Sequence, residues 1–451
     1  MRLLRRPTRP RSLLDELNPG GVRSPPWGPA GFLLLGAGSW AIFRDLPRWN
    51  AVWYVAAWYG YLLMLDAVLF LRRRRSFVSH ERGELLSMLL WSVPFWLFFE
   101  ACNLVLRNWY YVFGLRSHWA AAVLTVAAFA TVLPACLLHA ELLEAFGVWR
   151  RLECRSLRIP VWAPRVATIF GAVCLALPLL LPRYAFPLIW FAPLGLEGLN
   201  YRSGGPSLLR DFEEGNWRRL PRLLLGGLWA GVMWELFNSV ARCKWIYAVP
   251  GFERYKLFEM PLAGFLGFPV LAVAAFCFFS AVRLIALGPL RRRGVTVTAA
   301  LLFCAAVYPA MQRYTVRSLR PLLSELPGLD APLQARLAAV GIETPERLAR
   351  AARREGIPGL SARAGISAEI LRRARDESVL ALHKGMGVLR ARLLEAAGIG
   401  DLGQLAREDP DALWRRLGTL APRLGQDPPR LPEVRVWIGA ARESPVDLPQ
   451  R

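Results

Sequence analysis

Nine stretches of the chain are apolar over roughly the 20 residues that a helix needs to cross a hydrocarbon core of about 30 Å. In order they cover 28–43, 51–71, 85–106, 119–146, 161–181, 184–201, 219–241, 257–287 and 295–312. Inside lipid a backbone amide has no water to bond, so such segments must satisfy their own backbone as helices. The expectation is an all-α protein. A polytopic bundle of about nine transmembrane helices fills 28–315, a basic tail covers 1–27, and a small soluble domain of helical hairpins follows over 316–445.

Charge sets the orientation. The net charge is +23 although 54% of residues are hydrophobic. Residues 316–451 hold 22 basic and 17 acidic groups, so most of the excess lies in the membrane part. Arginine clusters occur in the N-terminal tail, at 72–82, at 150–158, at 202–222 and at 291–293. These are alternate loops, and the positive-inside rule places them in the cytoplasm. The loops at 107–118 and 242–256, and the C-terminal domain, then face outside. The expected location is the inner membrane of a bacterium, with membrane lipid as the surrounding partner. The N-terminal MRLLRRPTRPR lacks a following short apolar core and cleavage site, so no cleaved signal peptide is expected. The seven cysteines show no C-x-x-C spacing and read as small apolar residues. Lysine occurs three times, at 244, 256 and 384, which reads as codon usage.

Two helices carry the same polar pattern. Glu235, Asn238 and Arg242 recur as Glu100, Asn103 and Arg107, each set followed by an aromatic cluster: Trp109, Tyr110 and Tyr111, or Trp245 and Tyr247. Steps of three and four place each Glu–Asn–Arg set on one helical face. Both helices run from inside to outside, which suggests a parallel internal duplication. Glu197 and Asn200 form a weaker echo. An ionisable side chain within a membrane helix is costly, so it faces a cavity or a partner. Two readings carry equal weight. In one, Glu100, Glu235 and Glu259 are catalytic carboxyls in an outer-side polar cavity, with Asn103, Asn238, Arg107, Arg242, Trp245 and Tyr247 binding a ligand. In the other, the same groups lock packed helices together, with the arginines reaching the outer surface. The aromatics also suit an interfacial belt. Gly264, Gly267, Pro261 and Pro269 suggest close packing and a kinked or broken eighth helix. His139, Glu141 and Glu144 lack a second convergent histidine, so neither a metal nor a cofactor is expected.

The run WELFN…KWIY…KLFEMPLAGFLGFP resembles an uncharacterised bacterial family of multi-spanning membrane proteins, over roughly residues 80–285. A weaker likeness links Trp245-Ile-Tyr247 and Glu259-Met-Pro261 to the small helix-bundle lycopene cyclases. It implies cyclase chemistry on an isoprenoid-like ligand. Here the order of proline and glutamate is reversed and the acidic pair is single.

Beyond Leu322, LPGLDAPLQARLAAVGI (326–342) aligns with HKGMGVLRARLLEAAGI (383–399) at an offset of 57 residues. The later segment is similar to helix-hairpin-helix domains, whose Gly-rich turn offers N–H groups to a DNA phosphate. The resemblance implies phosphate contacts from Gly385, Gly387, Lys384 and Arg390, with Arg392 beside them. Asp330 stands where the earlier segment needs its second glycine, and the domain's excess charge is small. A protein-interaction module is therefore favoured over nucleic-acid binding. Three roles are compatible with the whole chain: a lipid or isoprenoid enzyme or binder, a transporter or channel for a small solute, and a membrane scaffold that presents the C-terminal domain.

Overall fold

The structure, a computed structural model, describes residues 23–44, 46, 49–152, 154–249, 255–326 and 328–443. Most of the expected basic tail, 1–22, lies outside the described residues. The described chain is mostly helical. The helices of the apolar part are α1 (Trp27–Phe43), α2 (Trp49–Arg73), α3 (Arg82–Leu106), α4 (His118–Phe129), α5 (Val132–Ala145), α6 (Ala163–Leu180), α7 (Leu196–Arg202), α8 (Leu208–Glu213), α9 (Arg219–Val240), α10 (Gly267–Leu287) and α11 (Leu290–Thr315). The C-terminal part adds α12 (Ala331–Ala339), α13 (Pro345–Ala364, kinked at Gly356), α14 (Ala368–Leu382), α15 (Gly387–Ala396), α16 (Leu402–Arg407), α17 (Pro410–Leu420) and α18 (Leu431–Glu443). Four short strands occur: β1 (Trp109–Val112), β2 (Lys244–Tyr247), β3 (Lys256–Leu257) and β4 (Met260–Pro261).

Among the described residues, seven helical stretches are long and apolar enough to cross a membrane: Ala51–Arg73, Arg82–Leu106, His118–Ala145, Ala163–Leu180, Arg219–Val240, Leu262–Leu287 and Leu290–Thr315. The expected first span is the shorter apolar helix α1.

The expected sixth span, 184–201, is not an α-helix of spanning length. Phe186–Gly195 winds as a 3-10 helix and passes into α7. Pro187 and Pro193 lack the N–H groups an α-helix would use. This segment lies antiparallel to α6, where Gly171 meets the backbone of Gly195 and Gly198 meets Pro164. A Cβ at either of Gly171 or Gly198 would collide with backbone. At about 2.0 Å per residue in a 3-10 helix and 1.5 Å in an α-helix, 186–202 still extends roughly 30 Å.

The expected fourth span is interrupted between α4 and α5. There the Ser92 hydroxyl donates to Phe129 O at 2.6 Å and accepts from Leu133 N at 3.0 Å, filling the break in the backbone ladder. The eighth span also starts later than expected. Glu259 lies in the turn between β3 and β4, a 3-10 turn covers Leu262–Leu266, and α10 begins at Gly267.

The chain divides into two compact units. One holds Met1–Phe99, Leu124–Trp234 and Phe265–Ala306. The other holds Glu100–Val123, Glu235–Gly264 and Val307–Arg451. Within the first, buried polar groups serve local packing. Asp66 accepts from Phe77 N at 2.9 Å, closing the turn after α2. Glu197 accepts from Leu209 N at 2.9 Å and from the Ser207 hydroxyl, while Asn200 donates to Cys277 O at 2.8 Å. His139 joins the Tyr61 hydroxyl at 2.9 Å and Ala135 O at 2.6 Å; Glu141 pairs with Arg73 at 2.6 Å and Glu144 with Arg222 at 3.3 Å.

In the second unit α12–α18 share one apolar core, with Leu337, Leu348, Leu360, Leu371, Leu393 and Leu417 fully buried. The two segments at the offset of 57 end alike. Ile342 N bonds Leu337 O and Ile399 N bonds Leu394 O, both at 2.9 Å, after glycines at φ +78° and +81°. Thr344 then caps α13 and Asp401 caps α16.

Candidate functional site

The two polar sets fall together at the start of the second unit. Glu100 and Asn103 occupy the last turns of α3; Glu235 and Asn238 occupy those of α9. All four are fully buried. After each helix the chain turns back as a strand, and the asparagine fastens that turn. Asn103 Oδ1 accepts from Asn108 N at 2.8 Å, while its Nδ2 donates to Trp109 O at 3.0 Å. Asn238 Oδ1 accepts from Trp245 N at 3.1 Å, while its Nδ2 donates to Trp245 O at 3.0 Å. An amide carries a donor and an acceptor side by side, so it can replace the backbone partner that a helix end loses.

The glutamates take the hydroxyls of the returning strands. Tyr111 donates to Glu100 Oε1 at 2.6 Å, and Trp109 Nε1 to the same oxygen at 3.0 Å. Tyr247 donates to Glu235 Oε1 at 2.9 Å. Burial, and then the adjacent Glu235 carboxyl, raise the Tyr247 phenol well above its ordinary value, so it stays a donor.

The strands pair with each other. β1 and β2 run antiparallel, with Trp109 opposite Tyr247, Tyr110 opposite Ile246, Tyr111 opposite Trp245 and Val112 opposite Lys244. Residues 316–319 then join the other edge of β1 in parallel: Arg317 N bonds Tyr111 O at 2.8 Å and Gly114 N bonds Ser318 O at 2.9 Å. One face of this ribbon, Tyr110, Val112, Ile246 and Ala248, packs on Val436 of α18.

Glu259 stands apart from the other two glutamates. It is 5% exposed and is bonded by Lys244 Nζ at 2.8 Å and Lys384 Nζ at 3.1 Å. Burial alone would raise its pKa, but the two ammoniums hold it down to about 2. It is therefore ionised at neutral pH. Lys256 Nζ donates to Tyr247 O at 2.9 Å. All three lysines of the chain thus act at this locus. Their scarcity was the signal in the sequence, and codon usage does not explain where they fall. A compact ammonium can be shared between groups that a planar guanidinium would not fit.

The expected phosphate turn is engaged within the protein. Gly385 has φ +67° and Gly387 has φ +70°. A Cβ on Gly385 would collide with Val112, and one on Gly387 would come within 2.8 Å of the Ser318 Cβ. Gly385 O accepts from the Ser318 hydroxyl at 2.5 Å. Lys384 is held on Glu259, and the buried Arg390 donates to Asp427 O at 2.6 Å. The Gly-rich turn is present, but Val112 and Ser318 lie against it. Asp330, for its part, caps α12 by accepting from Leu333 N at 3.0 Å.

The arginines lie at the margins. Arg107 is exposed, has φ +55°, and its carbonyl accepts from Arg430 at 3.0 Å; Arg242 is half-buried. Among the described residues no group of three His, Cys, Asp or Glu side chains could hold a metal.

Residues 327–444 match the model of a family described as a domain of unknown function, DUF4332. No curated protein and no solved structure matches the chain.

Proposed function

We propose that this protein is a multi-pass membrane scaffold that holds its C-terminal helical domain at the membrane surface for a protein partner. One observation carries the reading. The intramembrane Glu and Asn side chains expected to line a cavity are spent on building a ribbon, and the C-terminal domain is seated on that ribbon through Val112, Ser318 and Gly385. Each of these four side chains makes at least one bond that builds the ribbon, and polar groups tied into such a network rigidify a structure.

The register supports a parallel duplication. A two-fold rotation about Tyr110 and Ile246 swaps Trp109 with Trp245 and Tyr111 with Tyr247, so the aromatic clusters of the two motifs exchange, one residue out of step with the Glu–Asn–Arg spacing. The ends of α3, α9 and α11 all lead into this one ribbon, which supports placing 107–118, 242–256 and the C-terminal domain on a single side. The arginine pattern makes that side the outside. The inner membrane of a bacterium remains the proposed location.

Two measurements test the reading. In liposomes, a transporter would give an ion- or pH-dependent flux that Glu235→Gln removes; a scaffold gives none. In intact spheroplasts, protease added outside should reach the C-terminal domain. Protection of that domain, or a flux carried by Glu235, overturns the proposal.

A further inference from the structure

A groove of about 340 Å³ lies within the C-terminal domain, and none of its lining residues belongs to the ribbon. That volume is within the range of about 300–1,000 Å³ typical of ligand sites. Its floor is apolar, made by Leu326, Leu380, Val388 and Ala391. Its walls carry five carboxyls and three guanidiniums, an acidic spot on a chain whose net charge is +23.

Glu377 is the unusual member. It is 9% exposed and lines the groove. Its Oε1 accepts from Arg373 Nε at 3.1 Å, but its Oε2 has no hydrogen-bond partner among the described residues. A buried carboxylate oxygen without a donor is unstable unless something completes it. Two of the three neighbouring guanidiniums are already committed. Arg373 also bonds Glu395 at 2.8 Å, and Arg392 donates to Glu325 O at 2.6 Å. Asp376 is paired with Arg375 at 2.7 Å, and Asp401 caps α16. Arg372 and Glu369 complete the rim.

We propose that this groove binds the arginine side chain of a partner peptide, with the guanidinium on Glu377 Oε2 and the methylene stem on the apolar floor. Charge complementarity selects a cation, and the floor selects one carried on an apolar stem. A guanidinium is weakly hydrated and bonds a carboxylate in its own plane, so it tolerates such a site better than an ammonium does. The inference rests on the scaffold reading and supplies the partner's chemistry.

The groove has a pH signature. Burial raises the Glu377 carboxyl to about 7; the bond from Arg373 opposes this and the Glu395 charge adds to it, while Arg392 also lowers it. A bound guanidinium requires the ionised form, so binding near neutral pH releases a proton. Affinity should rise with pH and level off above about 7, with a change of roughly 100-fold between pH 5 and pH 8.

The experiment is calorimetric titration of the full-length protein in nanodiscs with acetyl-Gly-Arg-Gly-amide and with its citrulline counterpart, which has the same shape and no charge. The arginine peptide should bind at least tenfold more tightly at pH 8. It should lose that advantage towards pH 5 and release a proton that scales with the buffer's ionisation heat. Glu377→Gln should abolish the preference, while Glu343→Gln, at an exposed carboxyl outside the groove, should not. Equal affinity for the two peptides, no binding, or a pH-independent preference in the unsubstituted protein overturns the proposal. None of these results alters how the domain is seated on the ribbon, which is tested separately by proteolytic release.

Discussion

Asn103→Ala should release the C-terminal domain without unfolding the helices. The side chain makes two good hydrogen bonds, to Asn108 N and Trp109 O, and a longer one from Trp109 N at 3.4 Å. Alanine leaves a buried N–H and a buried C=O without partners. Each such group costs about 1–3 kcal/mol, so the ribbon should weaken by roughly 3–5 kcal/mol. Asn238→Ala removes two bonds, both to the half-buried Trp245, and should cost about 2–3 kcal/mol. Both asparagines hold one ribbon, so the double variant should fall short of the sum by about 1 kcal/mol. The assay is the rate at which a protease frees the C-terminal fragment from protein in nanodiscs. Where opening is fast relative to cleavage, that rate follows the population of the open form. A loss of 4 kcal/mol is then roughly a thousandfold acceleration. Asn200→Ala, which removes the bond to Cys277 O in the other unit, should leave the rate unchanged. Release at the native rate from Asn103→Ala, or equal acceleration by Asn200→Ala, refutes the reasoning.

Three further outcomes follow from the same geometry. Glu259 is depressed to about 2 from an ordinary 4.5, so its contribution is fully present above about 4.5 and is lost as the pH falls towards 2. A shift of that size is worth up to about 3 kcal/mol; the melting temperature should fall as the pH drops from about 4.5 towards 2 in the native protein, and that fall should be smaller in Glu259→Gln. Gly385→Ala places a Cβ into Val112 at a φ of +67° and should destabilise the seating by about 3 kcal/mol or more. Proteolytic release should show only partial rescue by Val112→Ala, because the backbone strain persists. Glu235→Gln keeps an oxygen for the Tyr247 hydroxyl and should change the melting temperature little, whereas Glu235→Leu orphans that hydroxyl and should cost about 1–3 kcal/mol. A larger loss from the glutamine variant would assign Glu235 a charge-dependent role.

The spacing of Glu100 with Asn103, and of Glu235 with Asn238, was legible because helix geometry fixes which residues share a face. The seven long apolar helices were legible from composition. The ribbon was not. WYY and KWIY have the aromatic and β-branched character of strands, yet the same residues suit a membrane interface. Only the pairing of chain segments more than a hundred residues apart decides between the two. The 3-10 segment at 186–195 escaped because hydropathy counts apolar residues and not the N–H groups that proline removes. The Gly385–Gly387 segment was recognised as a Gly-rich turn between helices, but the sequence does not say whether a phosphate or a valine lies against it.

The ribbon also bears on the order in which the chain assembles. β1 leaves the ribosome more than 130 residues ahead of β2, and 316–319 follow later still. A membrane segment with exposed polar groups would be at risk during that wait. Each hairpin avoids the risk by bonding within itself: Asn103 to 108–109, Glu100 to 109 and 111, Asn238 to 245, Glu235 to 247. The first half can be stored in the bilayer with these groups already engaged. The long-range step is left to strand pairing and to the arrival of Gly385 on Val112, which comes only once about half of the C-terminal domain has been made.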